Sequence, residues 1–338
     1  MKVTAGTRGM PVTASAGQEA GLTLPLIRAA RARIGNYVHR TPVMTSATLD
    51  ARAGAKLFFK CENLQKTGAF KARGAANAVL SLSDNEARHG VVTHSSGNHA
   101  AALARAAKLR GIPAYIVMPA NSPRAKQAAV RRYGGDIVFC EPTLQAREQT
   151  AQEVTERTGA AFIHPYNDLR VMAGQGTTAL ELLEDAPDVD LILCPVGGGG
   201  QLSGIAVAAK SLKPSIRIIG VEPAGADDAQ RSFRAGHIIP CVHPNTIADG
   251  LRTSLGALPF AEIQRHVDDI VTVSDAALVQ AMRLIWEVMK LVVEPSGAVA
   301  YAALGEGRID PLPARIAVIL SGGNLDLDDL PWMKKDPT

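Results

Sequence analysis

Lys71 is the residue whose type and setting best fit covalent chemistry. It follows Phe70 in the segment KTGAFKARGA, where small residues lead into an alanine-rich helical stretch. An amine near the positive end of a helix dipole should have a lowered pKa and be more nucleophilic than a lysine in water. Taken alone, an ordinary surface lysine at a helix start is the simpler interpretation, because charged side chains are mostly exposed.

The segment THSSGNHA could bind a carboxylate. It lies between an apolar run and an alanine-rich helical stretch, so several backbone N–H groups would be free at the helix start. The residues that would face such a ligand are Ser95, Ser96, Gly97, Asn98 and His99. A helix N-cap formed by Ser96 or Asn98 explains the same residues equally well.

Two further segments combine glycine with the end of an apolar run. PVGGGGQ contains four consecutive glycines, Gly197–Gly200, directly after Val196. Consecutive glycines cost conformational entropy, and wrapping backbone N–H groups around a phosphate at a helix start is a reason to keep them. The alternative is a tight turn. In LSGGN, Ser321 could form a hydrogen bond to a flat ring, although this signal is weak on its own.

An alternation of apolar runs and helical stretches would position these segments. Candidate strands occupy residues 57–61, 90–93, 114–118, 136–139, 191–196, 217–221 and 316–320. Candidate helices between them occupy residues 100–109, 122–133, 144–158 and 201–212. This order predicts an α/β protein with open, mostly parallel sheets flanked by helices. In such sheets, ligands collect at the carboxyl ends of the strands, where all four segments would lie.

Composition argues against several classes of protein. The chain has 338 residues, enough for two domains, and its net charge of +4 comes without a basic cluster on one element, so we expect no nucleic-acid partner. The four cysteines are far apart and form no CxxC pair, which fits a cytoplasmic protein. No apolar stretch approaches the ~18 residues that span a bilayer. Residues 1–20 resemble a disordered leader more than a signal peptide.

A dinucleotide site is the main competing interpretation of the glycine segment. Glu222 ends the next predicted strand about 20 residues after the glycines, where a ribose-binding acid would lie. However, VGGGGQ does not have the GxGxxG spacing, and a dinucleotide would give Lys71 and Ser321 no role. We therefore disfavour this interpretation.

Taken together, KTGAFKARGA, THSSGNHA, PVGGGGQLSG and LSGGN resemble the tryptophan-synthase-β superfamily of pyridoxal-phosphate enzymes (fold type II). Within it, the chain is similar to the group of serine/threonine dehydratases, serine racemases and 3-hydroxyaspartate ammonia-lyases. The resemblance runs from HRTPV to LSGGN, in the expected order. It implies two interwoven domains: a large cofactor-binding domain of residues 1–89 and 167–338, and a small mobile domain of residues 90–166. It also implies a homodimer.

The resemblance assigns a role to each segment. It implies that Lys71 binds pyridoxal 5'-phosphate through its amine and that Ser96 acts on the opposite face of the substrate. The other implied cofactor contacts are Phe70, Asn98 at the ring hydroxyl, Val196 with Gly197, Gly198, Gly199 and Gly200 at the phosphate, Gly250 under the ring, and Ser321 at the pyridine nitrogen. The implied substrate contacts are Ser95, Ser96, Gly97, Asn98, His99, Arg147 and Thr253.

A divalent-cation site is implied by the segment EPAGADD, through Glu222, the Ala226 carbonyl and Asp228. Hard oxygen ligands favour Mg, Ca or Mn. The alternative is a solvated acidic turn.

The implied reaction is β-elimination, in which a small β-hydroxy amino acid gives a 2-keto acid and ammonia. Racemisation of serine or aspartate by Lys71 and Ser96 is the alternative. Ala69, the stretch EPAGADDAQRSFRAG and Arg147 resemble members acting on 3-hydroxyaspartate, whereas Thr253 and the THSSGNHA segment fit L-serine or L-threonine as well. The substrate therefore stays open among these three.

Overall fold

Two β-sheets organise residues 21–333, the part of the chain that this computed structural model describes. The ten strands are β1 (Val43–Met44), β2 (Lys56–Cys61), β3 (Val91–His94), β4 (Ala114–Pro119), β5 (Asp136–Cys140), β6 (Ala161–Phe162), β7 (Leu191–Pro195), β8 (Arg217–Pro223), β9 (Asp269–Val273) and β10 (Arg315–Leu320). The larger sheet has the order β1-β2-β10-β7-β8-β9, and the smaller has the order β5-β4-β3-β6. Every pairing is parallel except that of β1 with β2. The predicted leader lies outside the described residues.

Helices connect the strands and cover the sheets. They are α1 (Leu24–Ile34), α2 (Ala47–Ala53), α3 (Lys71–Ser81), α4 (Asp84–Ala87), α5 (Asn98–Arg110), α6 (Arg124–Arg132), α7 (Leu144–Thr158), α8 (Leu169–Asp185), α9 (Gly200–Leu212), α10 (Asp228–Ala235), α11 (Ala257–His266), α12 (Asp275–Leu284) and α13 (Pro295–Gly305). None of these helices is long and apolar enough to cross a membrane. All four cysteines are free.

The predicted α/β fold class is confirmed, and each of the seven predicted strands is present within a residue or two of its expected bounds. Three strands were missed. β1 and β6 are two residues long, too short to show a periodicity, and β9 is an edge strand whose run DIVTV is interrupted by polar residues. The smaller sheet is formed within residues 90–166, but the domain boundaries and the mobility of that part stay predictions.

The larger sheet is buried on both faces, as parallel sheets usually are. Alternate residues of β7 point in opposite directions: Leu191 and Leu193 enter one hydrophobic core, and Ile192 and Cys194 enter the other. β2 and β10 lie side by side in register, with Cys61 opposite Leu320. The segments that carry Lys71 and Ser321 therefore leave the sheet as neighbours.

A buried network of two cations and two carboxylates holds α3 against the larger sheet. Arg73 Nε is 2.7 Å from a Glu62 carboxylate oxygen, and its two terminal nitrogens each lie 2.7 Å from a Glu181 oxygen. Lys60 Nζ lies 2.7 Å from Glu181 and 2.7 Å from the Thr41 carbonyl oxygen. Arg73 and Lys60 are completely buried, and the formal charges cancel. The network thus joins β2, α3 and α8. Its residue on α3, Arg73, lies two positions after Lys71.

We predict that Arg73→Met strongly destabilises the protein. Removing one partner of a buried ion network leaves uncompensated charge, which costs about 3–5 kcal/mol. The same substitution at Arg31, whose ion pair with Glu184 is largely exposed, should cost about 0–1 kcal/mol. Urea unfolding followed by circular dichroism measures both. If Arg73→Met lowered the free energy of unfolding no more than Arg31→Met does, the network would not have the stabilising role proposed here.

Candidate active site

The four chemically unusual segments meet at the carboxyl ends of their strands. The segments after β2 and β10 are joined directly, because Phe70 N donates to the Ser321 carbonyl at 3.0 Å and Ala69 pairs with Gly322. The other two segments follow β3 and β7. Asn98 accepts from Asn324, and Tyr166 packs over Gly198 while it borders Lys71, so the four segments lie close together where the two sheets adjoin.

Lys71 is the first residue of α3, and Phe70 is its N-terminal flanking residue. Its Nζ donates to the Pro165 carbonyl at 2.9 Å and lies 5.1 Å from the centre of the Phe70 ring and 6.0 Å from that of Tyr166. Burial lowers the pKa of Lys71 to about 8, so desolvation causes the shift that the sequence argument ascribed to the helix dipole. Within residues 21–333 no carboxylate pairs with this amine. It can therefore be neutral, and act as a base or a nucleophile, close to physiological pH.

The glycine segment forms a tight backbone turn at the start of α9. Val196 is buried and extends β7 by one hydrogen bond to Val221, and Gly199 has a φ of +87°. A Cβ added at Gly198 would lie 2.3 Å from the Tyr166 ring, so a side chain does not fit there. The first-turn N–H groups of this 13-residue helix have no helical acceptor. Nearby, the buried Gln201 Nε2 has no hydrogen-bond partner among the described residues. Such a turn fits a phosphate group.

The segment after β3 leaves its two serine hydroxyls and the backbone N–H groups at the start of α5 available to a ligand. Gly97 occupies the N-cap position of α5, and no side chain caps this helix. The alternative that Ser96 or Asn98 serves as the N-cap is therefore wrong. Ser95 Oγ accepts only a long bond from Gly97 N, at 3.4 Å, and His99 is buried behind the segment.

Asn98 is held by two residues from segments beside the larger sheet, the N-cap of α13 and the segment after β10. Its Nδ2 donates to Glu294 Oε1 at 2.7 Å, and its Oδ1 accepts from Asn324 Nδ2 at 2.9 Å. Burial raises the pKa of Glu294 to about 8. Sequence reasoning missed Glu294; the signal was a charged residue inside the apolar stretch LVVEPSGAVA.

Ser296 links two further predicted residues. Gly250 N donates to Ser296 Oγ at 3.0 Å, and the buried Ser321 hydroxyl donates to the Ser296 carbonyl at 3.3 Å. The long Ser321 contact leaves this hydroxyl free to form a better hydrogen bond with a ligand ring, so the geometry fits its expected role.

Three histidines and Tyr166 form an uncharged wall near Lys71. Burial lowers the pKa of His94 to about 4, that of His164 to about 3, and that of His99 well below its usual value. His164 stacks edge-on against Tyr166 with ring centres 4.5 Å apart, and its Nδ1 accepts from the backbone. Neutral imidazoles beside Lys71 add no charge to the site. Sequence reasoning missed His164 and Tyr166, because HPYND contains no chemical motif.

Arg147 and Thr253 lie next to this wall. Arg147 is half-buried on α7, and its charge acts on both His94 and Tyr166. Thr253 lies near Tyr166 and partly offsets the burial that raises the pKa of this phenol. These two of the seven residues predicted to contact substrate therefore lie near one tyrosine.

The predicted cation ligands lie together at the carboxyl end of β8, where Glu222 is the next-to-last residue of the strand. Glu222 and Asp228 are each only 1% exposed, and burial raises their pKa values to about 9 and about 6. Asp228 Oδ2 has no partner among the described residues, and Ala226 lies in the turn between the two carboxylates. Residues 21–333 contain no cluster of three or more His, Cys, Asp or Glu that could hold a metal. Two carboxylates and a carbonyl oxygen nevertheless fit a hard cation completed by water.

The geometry of Glu222 also disfavours the dinucleotide interpretation. Its carboxylate accepts from the backbone N–H groups of Gln230 at 2.7 Å and Ala229 at 3.2 Å, both in α10. The Glu222 carboxylate is therefore directed towards the start of α10, which does not support a role as a ribose-binding acid.

Comparison with known proteins agrees with this arrangement. Residues 34–322 match the family model described as pyridoxal-phosphate dependent enzyme. The chain is 53% identical to a serine racemase of Arabidopsis thaliana, covering 90% of this chain and 93% of that protein. It is 51% identical to a beta-hydroxyaspartate dehydratase of Paracoccus denitrificans, covering 90% and 96%. The structure of maize serine racemase superimposes with a TM-score of 0.90 at 51% identity, covering 91% and 95%. The chain therefore belongs to the family of pyridoxal-phosphate-dependent enzymes.

Proposed function

We propose that the protein eliminates water and ammonia from a small β-hydroxy amino acid. The observation that carries this proposal is the half-buried Lys71 side chain, whose amine donates to the Pro165 carbonyl, has a lowered pKa and has no carboxylate partner among residues 21–333. An amine of this kind can remove a proton from the Cα of a bound amino acid. The candidate substrates are L-serine, L-threonine and 3-hydroxyaspartate.

The cofactor would be held by the groups that line this cleft. Lys71 would bind it covalently beside Phe70, Gly197–Gly200 with Val196 would bind its phosphate, and Gly250 would lie under its ring. Asn98 would reach the ring hydroxyl, and Ser321 the pyridine nitrogen. When bound, pyridoxal phosphate withdraws electrons from Cα, which makes the Cα proton removable and lets a β-hydroxyl leave. A serine partner, unlike a carboxylate, leaves the pyridine nitrogen largely unprotonated and the ring a moderate electron sink.

Lys71 would act as the base once its amine is free. Nζ accepts the Cα proton, and the Pro165 carbonyl, now 2.9 Å from Nζ, orients the resulting ammonium. Hydroxide leaves from Cβ, and the water lost in this way is regained when the released enamine hydrolyses. The net products are a 2-keto acid and ammonia.

The substrate carboxylate would bind at the start of α5. The backbone N–H groups of residues 96–99 and the Ser95 hydroxyl are suited to this role, because no side chain caps the helix. This contact would place Cα between Lys71 and the segment after β3.

Racemisation is a second candidate, and the relatives favour it more than the sequence analysis did, because most of the named ones are serine racemases. Ser96 is half-exposed in the cleft and forms no hydrogen bond with another described residue. Its hydroxyl could therefore deliver a proton to the face of Cα opposite Lys71.

Glu222, Asp228 and the Ala226 carbonyl would hold a divalent cation in a structural or activating role. Their loop is tied to the active site, because Asn245 N donates to the Gly225 carbonyl at 2.8 Å and the segment from Asn245 leads directly to Gly250. Assembly as a homodimer and a cytoplasmic location also stay predictions.

The function is tested by assaying the purified holoenzyme on L-serine, L-threonine and both diastereomers of 3-hydroxyaspartate. We expect a visible cofactor absorbance and keto-acid formation from at least one of the four. A cofactor band without keto acid, but with inversion of the substrate at Cα, would replace the lyase with the racemase. A protein that acquires no cofactor band would contradict both.

Ser96→Ala distinguishes the two reactions at one site. We expect racemisation to fall far more than elimination from the L-substrate, because only racemisation needs a proton donor on the second face of Cα. Chiral chromatography of the remaining substrate and a keto-acid assay measure the two rates. Equal losses in both would show that Ser96 does not have this role.

The proposed cation site is tested by thermal unfolding of the holoenzyme with and without Mg²⁺. A ligand at 100 times its Kd stabilises the folded state by about 2.7 kcal/mol. We expect Mg²⁺ to raise the Tm of the wild type but not that of Asp228→Asn. Asp227→Asn is the matched control, because Asp227 is exposed and pairs with Arg231. If Mg²⁺ raised the Tm of Asp228→Asn as much as that of the Asp227→Asn control, the proposed cation site would be refuted.

A further inference from the structure

A cavity separate from the candidate active site lies between α2, α12 and α13. Its volume is about 440 Å³, and small-molecule sites have volumes of about 300–1,000 Å³. None of the described residues that line it belongs to the candidate active site. The three helices present small residues to this space, so no large side chain fills it; these residues are Ala53, Ala276, Ala277, Ala281, Ala302 and Gly305.

The hydroxyl of Tyr301, on α13, is an unpaired donor at this cavity. Tyr301 lines the cavity and is only 4% exposed, and its ring packs against Phe59 with ring centres 5.7 Å apart. The hydroxyl forms no hydrogen bond with another residue between 21 and 333, although a buried phenol usually has a partner. Burial raises the pKa of Tyr301, so the hydroxyl stays protonated. A ligand in the cavity could supply the acceptor that the protein does not.

The acidic side chain on the cavity wall is already satisfied. Glu306, which follows α13, is the only acidic residue among the described residues that line the cavity. Its carboxylate accepts from the Ser274 hydroxyl, from Ser274 N at 3.2 Å and from Arg308 Nε at 3.1 Å. Glu306 therefore has no need of a cationic ligand.

Arg52 adds a positive charge that has no counterion in the described part of the chain. It is exposed, lies in the last turn of α2 and lines the same cavity as Tyr301. The acid nearest to it in sequence, Asp50, pairs instead with Lys56 at 3.4 Å. The guanidinium group is a planar fork of donors that matches a carboxylate. The charge of this cavity therefore favours an anionic ligand.

We propose that the cavity between α2, α12 and α13 binds a small organic monocarboxylate with an aromatic or branched apolar body. The carboxylate would accept from the Tyr301 hydroxyl and pair with Arg52, and the apolar body would pack on the alanines of α12 and α13. A single unpaired cation beside apolar walls suits one carboxylate better than a phosphate ester or a dicarboxylate. This site does not depend on the proposed reaction.

Binding is tested with 4-fluorobenzoate, whose ¹⁹F NMR signal is followed as the holoenzyme is added. This probe has no amino group and therefore cannot replace Lys71 on the cofactor. We expect saturable binding, with a Kd that Tyr301→Phe raises about 10-fold because a hydrogen bond to a charged group is lost. Arg52→Gln should raise the Kd about three- to fivefold, because an exposed ion pair is weaker.

Two matched controls should leave the Kd unchanged. Tyr115→Phe removes the hydroxyl of a tyrosine on β4, and Arg132→Gln removes an exposed charge from the last turn of α6. The uncharged analogue 4-fluorobenzyl alcohol should bind the wild type more weakly than 4-fluorobenzoate does. That difference should shrink in Arg52→Gln, because the charge that recognises the carboxylate is gone.

Ala277→Leu tests where the probe binds. Ala277 lies in the first turn of α12 and lines the cavity, so a leucine there would occupy the space of the ligand. We expect loss of 4-fluorobenzoate binding with an unchanged cofactor absorbance and Tm. Tyr301→Phe should likewise not lower the Tm of the ligand-free holoenzyme, because its hydroxyl has no hydrogen bond to lose.

Two results would overturn the proposal. One is a wild-type holoenzyme that shows no saturable binding of 4-fluorobenzoate at millimolar concentrations. The other is a Kd that neither Tyr301→Phe nor Ala277→Leu changes although both variants fold, since the probe would then bind elsewhere, for example at the start of α5.

Discussion

A half-buried lysine whose amine has no carboxylate beside it is the constraint on which the rest of the site depends. Burying a charge costs free energy unless it is paired, so an unpaired lysine in such a place releases its proton more easily. Lys71 meets this condition with one carbonyl partner, Pro165. A carboxylate in contact with the amine would favour the ammonium and remove the base. The acidic residues nearby, Glu62 and Glu181, are instead held by Arg73, two residues further along α3.

Contacts with neighbouring elements explain how glycine-rich segments form a defined site. Glycine-rich turns have no side chains with which to fix themselves, so their geometry depends on neighbours. Tyr166 packs over the turn before α9, and Ser296 links Gly250 to Ser321. Asn98, from the segment after β3, reaches Glu294 beside the larger sheet. Contacts between the two sheets thus assemble the site, and any relative movement of the sheets would change it.

Much of the fold could be predicted from the sequence because its determinants are local. Apolar runs of five or six residues between alanine-rich helices specify parallel strands, and polar segments at their ends specify where a ligand binds. The same reasoning proposed Lys71, the glycine turn and Ser321 as site residues, since each lies within a motif, and the structure places them near one another. It failed for two-residue strands, which have no period, and it could not decide between a ligand site and a side-chain N-cap at the start of α5, where Gly97 is the N-cap residue.

The residues that the sequence did not reveal act through tertiary contacts. Glu294, Ser296 and Tyr166 belong to no motif, and each becomes important only because the fold places it against a distant segment. The cause of the lowered pKa of Lys71 was misjudged for the same reason. A helix start is visible in the sequence, whereas the burial that lowers this pKa is a property of the folded chain.

The central claim is that Lys71 carries the cofactor, and borohydride reduction of the holoenzyme tests it most directly. Reduction makes the bond between pyridoxal phosphate and its lysine permanent, and mass spectrometry of the peptides then identifies that lysine. We expect the pyridoxyl group on the peptide that contains Lys71, and none after substitution of Lys71 by Ala. A modified peptide with any other lysine, or a Lys71→Ala protein that is still modified stoichiometrically, would contradict the account.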